Sequence, residues 1–137
     1  MNTTFLRFAA RFLIGLATLG IFMVAVMAFQ SPQAVMDLVQ VKLTTTDAYS
    51  SIRGVYGGAG LSISVMLVYL GIRRPKEGLA FVALITGLYA LSRWITAQVE
   101  GPLGAFGQQW IVIEGAICVL SLLVLALWQR AGRLVVA

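Results

Sequence analysis

The stretch "ARFLIGLATLGIFMVAVMAF", residues 10–29, is apolar or small throughout except for Arg11 near its start and Thr18. A bilayer core about 30 Å thick needs about 20 apolar residues at about 1.5 Å rise each, so this stretch reads as a spanning helix. Three more runs, near 52–72, 78–97 and 108–128, reach the same length. The expected fold class is all-α, a membrane bundle of four transmembrane helices. Arg7, Arg11 and Val26-Met27-Ala28 also have the look of a signal peptide, but the apolar run exceeds the usual 7–15 residues, so an uncleaved first helix is expected.

Composition agrees. Hydrophobic residues make up 60% of the 137 and charged residues 11%, and the mean hydropathy is +0.93, outside the range of soluble domains. One integral domain, 1–137, is expected, and any function must lie in or between helices. Arg7, Arg11, Arg73, Arg74, Lys76, Arg130 and Arg133 fall at ends that would share one side, against only Lys42 in the opposite loops. This charge bias places both termini on the cytoplasmic side of the membrane. The +5 net charge is then topology rather than a nucleic-acid surface, with the lipid bilayer and its anionic headgroups as partner.

The connections differ in kind. "RRPKEG", residues 73–78, is a tight turn in which Pro75 stops one helix and Gly78 opens the next. Between the first two spans, Ser31 as N-cap and Pro32 at the first helical position predict a short outer-surface helix with Val35, Leu38, Val39 and Leu43 on its apolar face, or else an ordered loop.

Several chemistries are absent. The chain has no histidine and one cysteine, Cys118, which removes imidazole metal sites, His general bases and internal disulfides. No phosphate loop, dinucleotide fingerprint or nucleophile elbow occurs. No cofactor, metal or catalytic set is expected, and Cys118 reads as a small packing residue.

The polar residues inside the spans carry what functional signal there is. Arg53, Arg93 and Glu114 are ionisable at membrane depth, which is unfavourable enough to mark them as candidate functional groups. Counted along the helices, Glu114 lies about 9 Å from its outer end, Arg93 about 7 Å, and Arg53 nearest the interface. A guanidinium fits a carboxylate bidentately, so both arginines are expected to converge on Glu114. Thr86, Tyr89, Arg93 and Thr96 share a face of the third span, as Glu114, Cys118 and Ser121 do on the fourth, and Tyr56 lies one turn below Arg53. These predict an outward polar pocket roofed by the 30–51 loop, Gln108 and Gln109. The plainer alternatives are bundle packing and interfacial snorkelling of the arginines. Trp94 and Trp110 read as an outer aromatic belt and Trp128 as an inner one.

Small residues predict close helix contacts. Gly54, Gly58 and Ser62 form one stripe, Gly57, Gly60 and Ser64 a second, and Ala83, Gly87 and Ala90 a matching stripe on the third span. Leu67 reads as lipid-facing.

The order of "RGVYGG" opening the second span, "LSRW" near the outer end of the third and "VIEGA" early in the fourth resembles a family of small bacterial four-span membrane proteins of the type called domain of unknown function 4345. The resemblance covers residues 50–128. It implies a four-helix inner-membrane protein and brings no activity with it. The reading favoured is a non-enzymatic binding or accessory protein whose polar pocket takes a lipid-like or small anionic ligand, or a partner helix. A small oligomeric transporter or channel is an alternative, disfavoured because the polar residues crowd one leaflet. A membrane enzyme with Glu114 as acid or base and Tyr56 or Tyr89 as proton donor is another, disfavoured by the missing catalytic partners.

Overall fold

A computed structural model describes residues 3–133; the side chains of 132 and 133, and so that of Arg133, lie outside the described part. The elements are α1 (Thr3–Gln30), α2 (Pro32–Asp37), α3 (Thr46–Ile52), a π-helical segment (Arg53–Ala59), α4 (Gly60–Arg73), α5 (Pro75–Val99) and α6 (Ala105–Arg133). Because α3, the π segment and α4 are continuous, the second span is a single rod, Thr46–Arg73. Four rods are long and apolar enough to cross a membrane. The first two, at 28 residues each, are about 42 Å long and outreach the hydrocarbon core into the headgroup layers.

The helix ends follow local rules with two departures. Ser31 caps α2, its hydroxyl accepting from Ala34 N–H, and Pro32 fills the first turn as expected. The helix stops at Asp37, so Leu38 and Val39 are exposed, and the buried residues are Pro32, Val35 and Met36, the last two clustered with Ala28 of α1. Gln33 then ties down the following segment: Nε2 donates to Asp37 Oδ1 (2.7 Å) and to the Val41 carbonyl (2.9 Å), and Oε1 accepts from Leu43 N–H (2.9 Å). At the other end of the bundle, Pro75 opens α5 rather than merely stopping α4. Gly78 is buried inside α5, where a Cβ would lie 2.9 Å from Ile14 Cδ1 and 3.0 Å from Leu70 Cβ. Its missing side chain is what admits α1 and α4 to the start of α5.

The rods pair antiparallel, α1 with α4 and α5 with α6, and α1 touches all the others. The main core lies toward the end where both termini meet, here called the terminal end. It comprises Leu6, Ala10, Leu13, Ile14 and Ala17 of α1, Leu67 of α4, Leu79 and Val82 of α5, and Trp128 of α6. Two sequence expectations change. Leu67 is 0% exposed, a core residue and not a lipid-facing one. Trp128 is buried in the same core, with Lys76 Nζ 5.1 Å from its ring centroid, so a cation–π contact joins the α5 and α6 ends where a free aromatic belt was expected. Trp94 is exposed, as a belt residue would be.

The glycine stripes divide differently from their spacing. A Cβ at Gly57 would lie 3.1 Å from the Phe29 ring and one at Gly60 3.1 Å from Ala25 Cβ, so that stripe lies against α1. A Cβ at Gly54 would meet open space, and one at Gly58 only the Arg53 carbonyl of its own segment, at 4.0 Å. On α5, a Cβ at Gly87 would lie 3.1 Å from Cys118 Sγ of α6, so this glycine faces α6 and not a glycine of the second span.

Two arginines stitch α1 to the second span reciprocally. Arg11 donates through Nε and Nη2 to the carbonyls of Gly71 (3.2 Å) and Ile72 (3.4 Å) in the last turn of α4. Arg53 donates through Nε to the carbonyl of Phe29 (3.4 Å) in the last turn of α1. The final carbonyls of a helix have no intrahelical partner and carry its partial negative charge. A cation from the antiparallel neighbour answers both at each end.

These contacts reverse a packing order that spacing alone would give. Leu67→Ala is expected to destabilise by about 2–5 kcal/mol as a buried large-to-small change, and Gly58→Leu by less, in detergent thermal unfolding. A larger loss for Gly58→Leu would place Gly58 in an interface between chains.

Candidate functional site

At the distal end, away from the termini, α5 and α6 carry the only ion pair among the described residues that is removed from water. Arg93 Nε donates to Glu114 Oε2 at 2.7 Å and Nη2 to Oε1 at 3.0 Å, a bidentate fork. The side chains are 26% and 7% exposed respectively. The approach of Gly87 to Cys118 lets the two helices come close between the pair and the core, and an arginine two turns further along α5 then reaches across to a glutamate on α6. Either charge alone at membrane depth would be unfavourable by about 2.5–3.5 kcal/mol on insertion scales; paired and doubly hydrogen-bonded, they offset one another.

Sequence reasoning missed one wall. The Phe106 ring lies under the guanidinium, 5.6 Å from Arg93 Cζ to its centroid, and Trp110 packs on Phe106 at 6.0 Å between centroids. Phe106, Trp110 and Glu114 are spaced by four, one face of α6, so the signal was present. By sequence alone Trp110 reads as a belt residue, and Phe106 falls just before the 108–128 run.

The other expected members separate. Arg53 does not join the pair: its Nε is engaged with the Phe29 carbonyl, and its charge closes α1. Thr86 and Thr96 donate to the carbonyls of Val82 (2.8 Å) and Ser92 (2.9 Å) on their own helix, so neither hydroxyl is turned outward. Gln108 donates to the Leu103 carbonyl (2.7 Å) within its own turn, and α2 packs on α1 and α3. Tyr56 and Tyr89 are both about half exposed. Tyr89 lies one turn before Arg93 on the same face of α5, beside the pair, whereas Tyr56 belongs to the segment packed on α1. Neither tyrosine hydroxyl has a hydrogen-bond partner among the described residues. Ser121, on the same face of α6 as Glu114, is fully buried with no partner for its Oγ.

The family described as Domain of unknown function (DUF4345) matches residues 9–125, most of the chain and all of this site. The chain belongs to the DUF4345 family. The match begins well before residue 50, so α1 is part of the family's shared unit and not an appendage to it. No curated protein and no solved structure matches the chain. What the DUF4345 fold does in this chain must therefore be argued from the arrangement itself.

The pair predicts a double-mutant signature. Glu114→Ala strands Arg93, with an expected loss on the order of 2 kcal/mol, below the roughly 3–5 seen for broken buried pairs because the guanidinium keeps some access to solvent. Adding Arg93→Leu should restore more than half of that loss in detergent thermal unfolding. Simple addition of the two losses would mean the ion pair contributes no coupling.

Proposed function

We propose that this is a non-enzymatic membrane binding or accessory protein whose distal site takes a lipid-like or small anionic ligand, or a polar group of a partner helix. The observation that supports this most is the buried Arg93–Glu114 fork with Tyr89, whose hydroxyl is unpartnered, one turn before Arg93 on the same face of α5. Hydroxyls at membrane depth need hydrogen-bond partners. A ligand carrying acceptors would supply them and meet the hydrogens of Arg93 that Glu114 leaves unused. Glu114 holds the guanidinium in place and offsets its charge, which favours recognition over proton transfer.

The same reading places the protein in the cytoplasmic membrane of a bacterium with both termini inside. Arg7, Arg11, Arg73, Arg74, Lys76 and Arg130 gather at the terminal end, while Lys42, Arg53 and Arg93 lie toward the other, and arginine and lysine accumulate on the cytoplasmic side. In a chain carrying Cys118→Ala, cysteines placed at Thr44 and Gly104 should react with an impermeant maleimide in intact spheroplasts, and one at Lys76 should not. The opposite pattern would invert the assignment.

The binding reading is tested by native mass spectrometry of the full chain in mild detergent. A bound species is expected on the wild type and is expected to be lost in Arg93→Leu/Glu114→Leu, a charge-neutral pair that should keep the fold. Identical spectra for the two proteins would remove the distal site as a binding site.

A further inference from the structure

A second feature lies on the opposite half of the molecule. Between α1 and α4 runs an open groove of about 840 Å³, lined by Arg11, Gly15, Thr18 and Phe22 on one wall and by Leu61, Val65 and Gly71 among others on the second. Its long axis follows α1 from Arg11 to Phe22, eleven residues or about 17 Å, close to the roughly 15 Å of hydrocarbon in one leaflet. The wall is apolar in effect: the Thr18 hydroxyl donates to the Ile14 carbonyl (2.7 Å) and Ser64 to the Gly60 carbonyl (2.9 Å), so neither asks anything of an occupant.

The charge is all at one end. Arg11 is anchored by Nε and Nη2 on the Gly71 and Ile72 carbonyls, which leaves its Nη1 hydrogens free at the mouth of the groove. Arg7 lies one turn before it, and Arg73 and Arg74 follow directly on Ile72; all are exposed. The carboxylate nearest in sequence, Glu77, is 4.0 Å from Arg74 Nη1 and leaves the others uncompensated.

We infer that this groove is a binding site for one anionic phospholipid of the leaflet at the terminal end, an acyl chain lying along Gly15 and Gly71 and the phosphate held by Arg11 with its basic neighbours. An apolar slot one leaflet long with a cation fixed at headgroup depth matches such a molecule in length, polarity and charge. A helix from a second copy would fill the slot without using Arg11. This site is independent of the Arg93–Glu114 site and stands or falls separately.

Gly15 gives a clean test, because a Cβ there meets nothing within 4 Å. Gly15→Leu therefore fills the groove without disturbing the packing, and Val65→Trp fills it from the exposed face of the other wall. The full chain is purified in mild detergent, mixed with palmitoyl-oleoyl phosphatidylglycerol or phosphatidylcholine, and assayed by native mass spectrometry, with helix content followed by circular dichroism. The wild type should retain one phosphatidylglycerol with a preference of at least about fivefold over phosphatidylcholine, the gain expected for one basic side chain at an anionic surface. Arg11→Gln should abolish the preference, and Gly15→Leu and Val65→Trp should reduce retention of both lipids severalfold at unchanged helix content. Equal retention of the two lipids by the wild type overturns the inference. So does retention unaffected by both groove-filling variants, and so does a dimer that Gly15→Leu converts to monomer, which would assign the groove to a second copy.

Discussion

A bilayer core contains no water to satisfy a polar group, and the polar contacts within the spans answer that constraint. Hydroxyls turn back onto their own helix: Thr18 to Ile14, Ser62 to Gly58, Ser64 to Gly60, Thr86 to Val82. The charges do the same over longer range. Arg11 and Arg53 close the open carbonyls at the ends of α4 and α1, and Arg93 is matched by Glu114. A guanidinium serves in all three places because it offers several donors in a fixed plane and never loses its charge.

That economy makes the two ends of the bundle unlike. At the terminal end all four rods contribute to one apolar core, closed by Trp128 and Lys76. At the distal end the smaller cluster of Ala28, Val35 and Met36 belongs to the first rod and the short helix beyond it, with Leu43 and Ile52 packed on it. On the α5–α6 side the fork takes the place of a core, with Phe106 and Trp110 as its apolar wall. The apolar half holds all four rods together, and the polar half joins α5 to α6 through charge.

How much of this was legible in the sequence follows from which signals are one-dimensional. Span number and class rest on length and hydropathy, and Thr3–Gln30, Pro75–Val99 and the others confirm them with longer ends. The α2 cap was legible because Ser31 and Pro32 act on their own turn. The Arg93–Glu114 contact was legible because matched depth on adjacent antiparallel spans leaves few other partners for a carboxylate. Arg53 was not, because a backbone carbonyl at the end of a neighbouring helix leaves no mark in the residue string. Leu67 and Trp128 were misplaced for a related reason: in an apolar span, lipid-facing and core positions use the same residue types.

The stripe of Gly54, Gly58 and Ser62 failed for a different and more specific reason, which also explains the charge beside the glycines. Rows at spacings of three and four assume an α-helix, but Arg53–Ala59 is π-helical, with i→i+5 bonding that takes an extra residue per turn. Gly54, Gly58 and Ser62 were therefore counted as one row across a segment where that count does not hold. What the segment achieves is visible on its other side. Gly57 and Gly60 let the second rod close on the Phe29 ring and Ala25, and that approach brings Arg53, at the head of the segment, within reach of the Phe29 carbonyl. The glycines and the arginine are one device: the missing side chains set the distance between the rods, and the guanidinium uses that distance to close the end of α1.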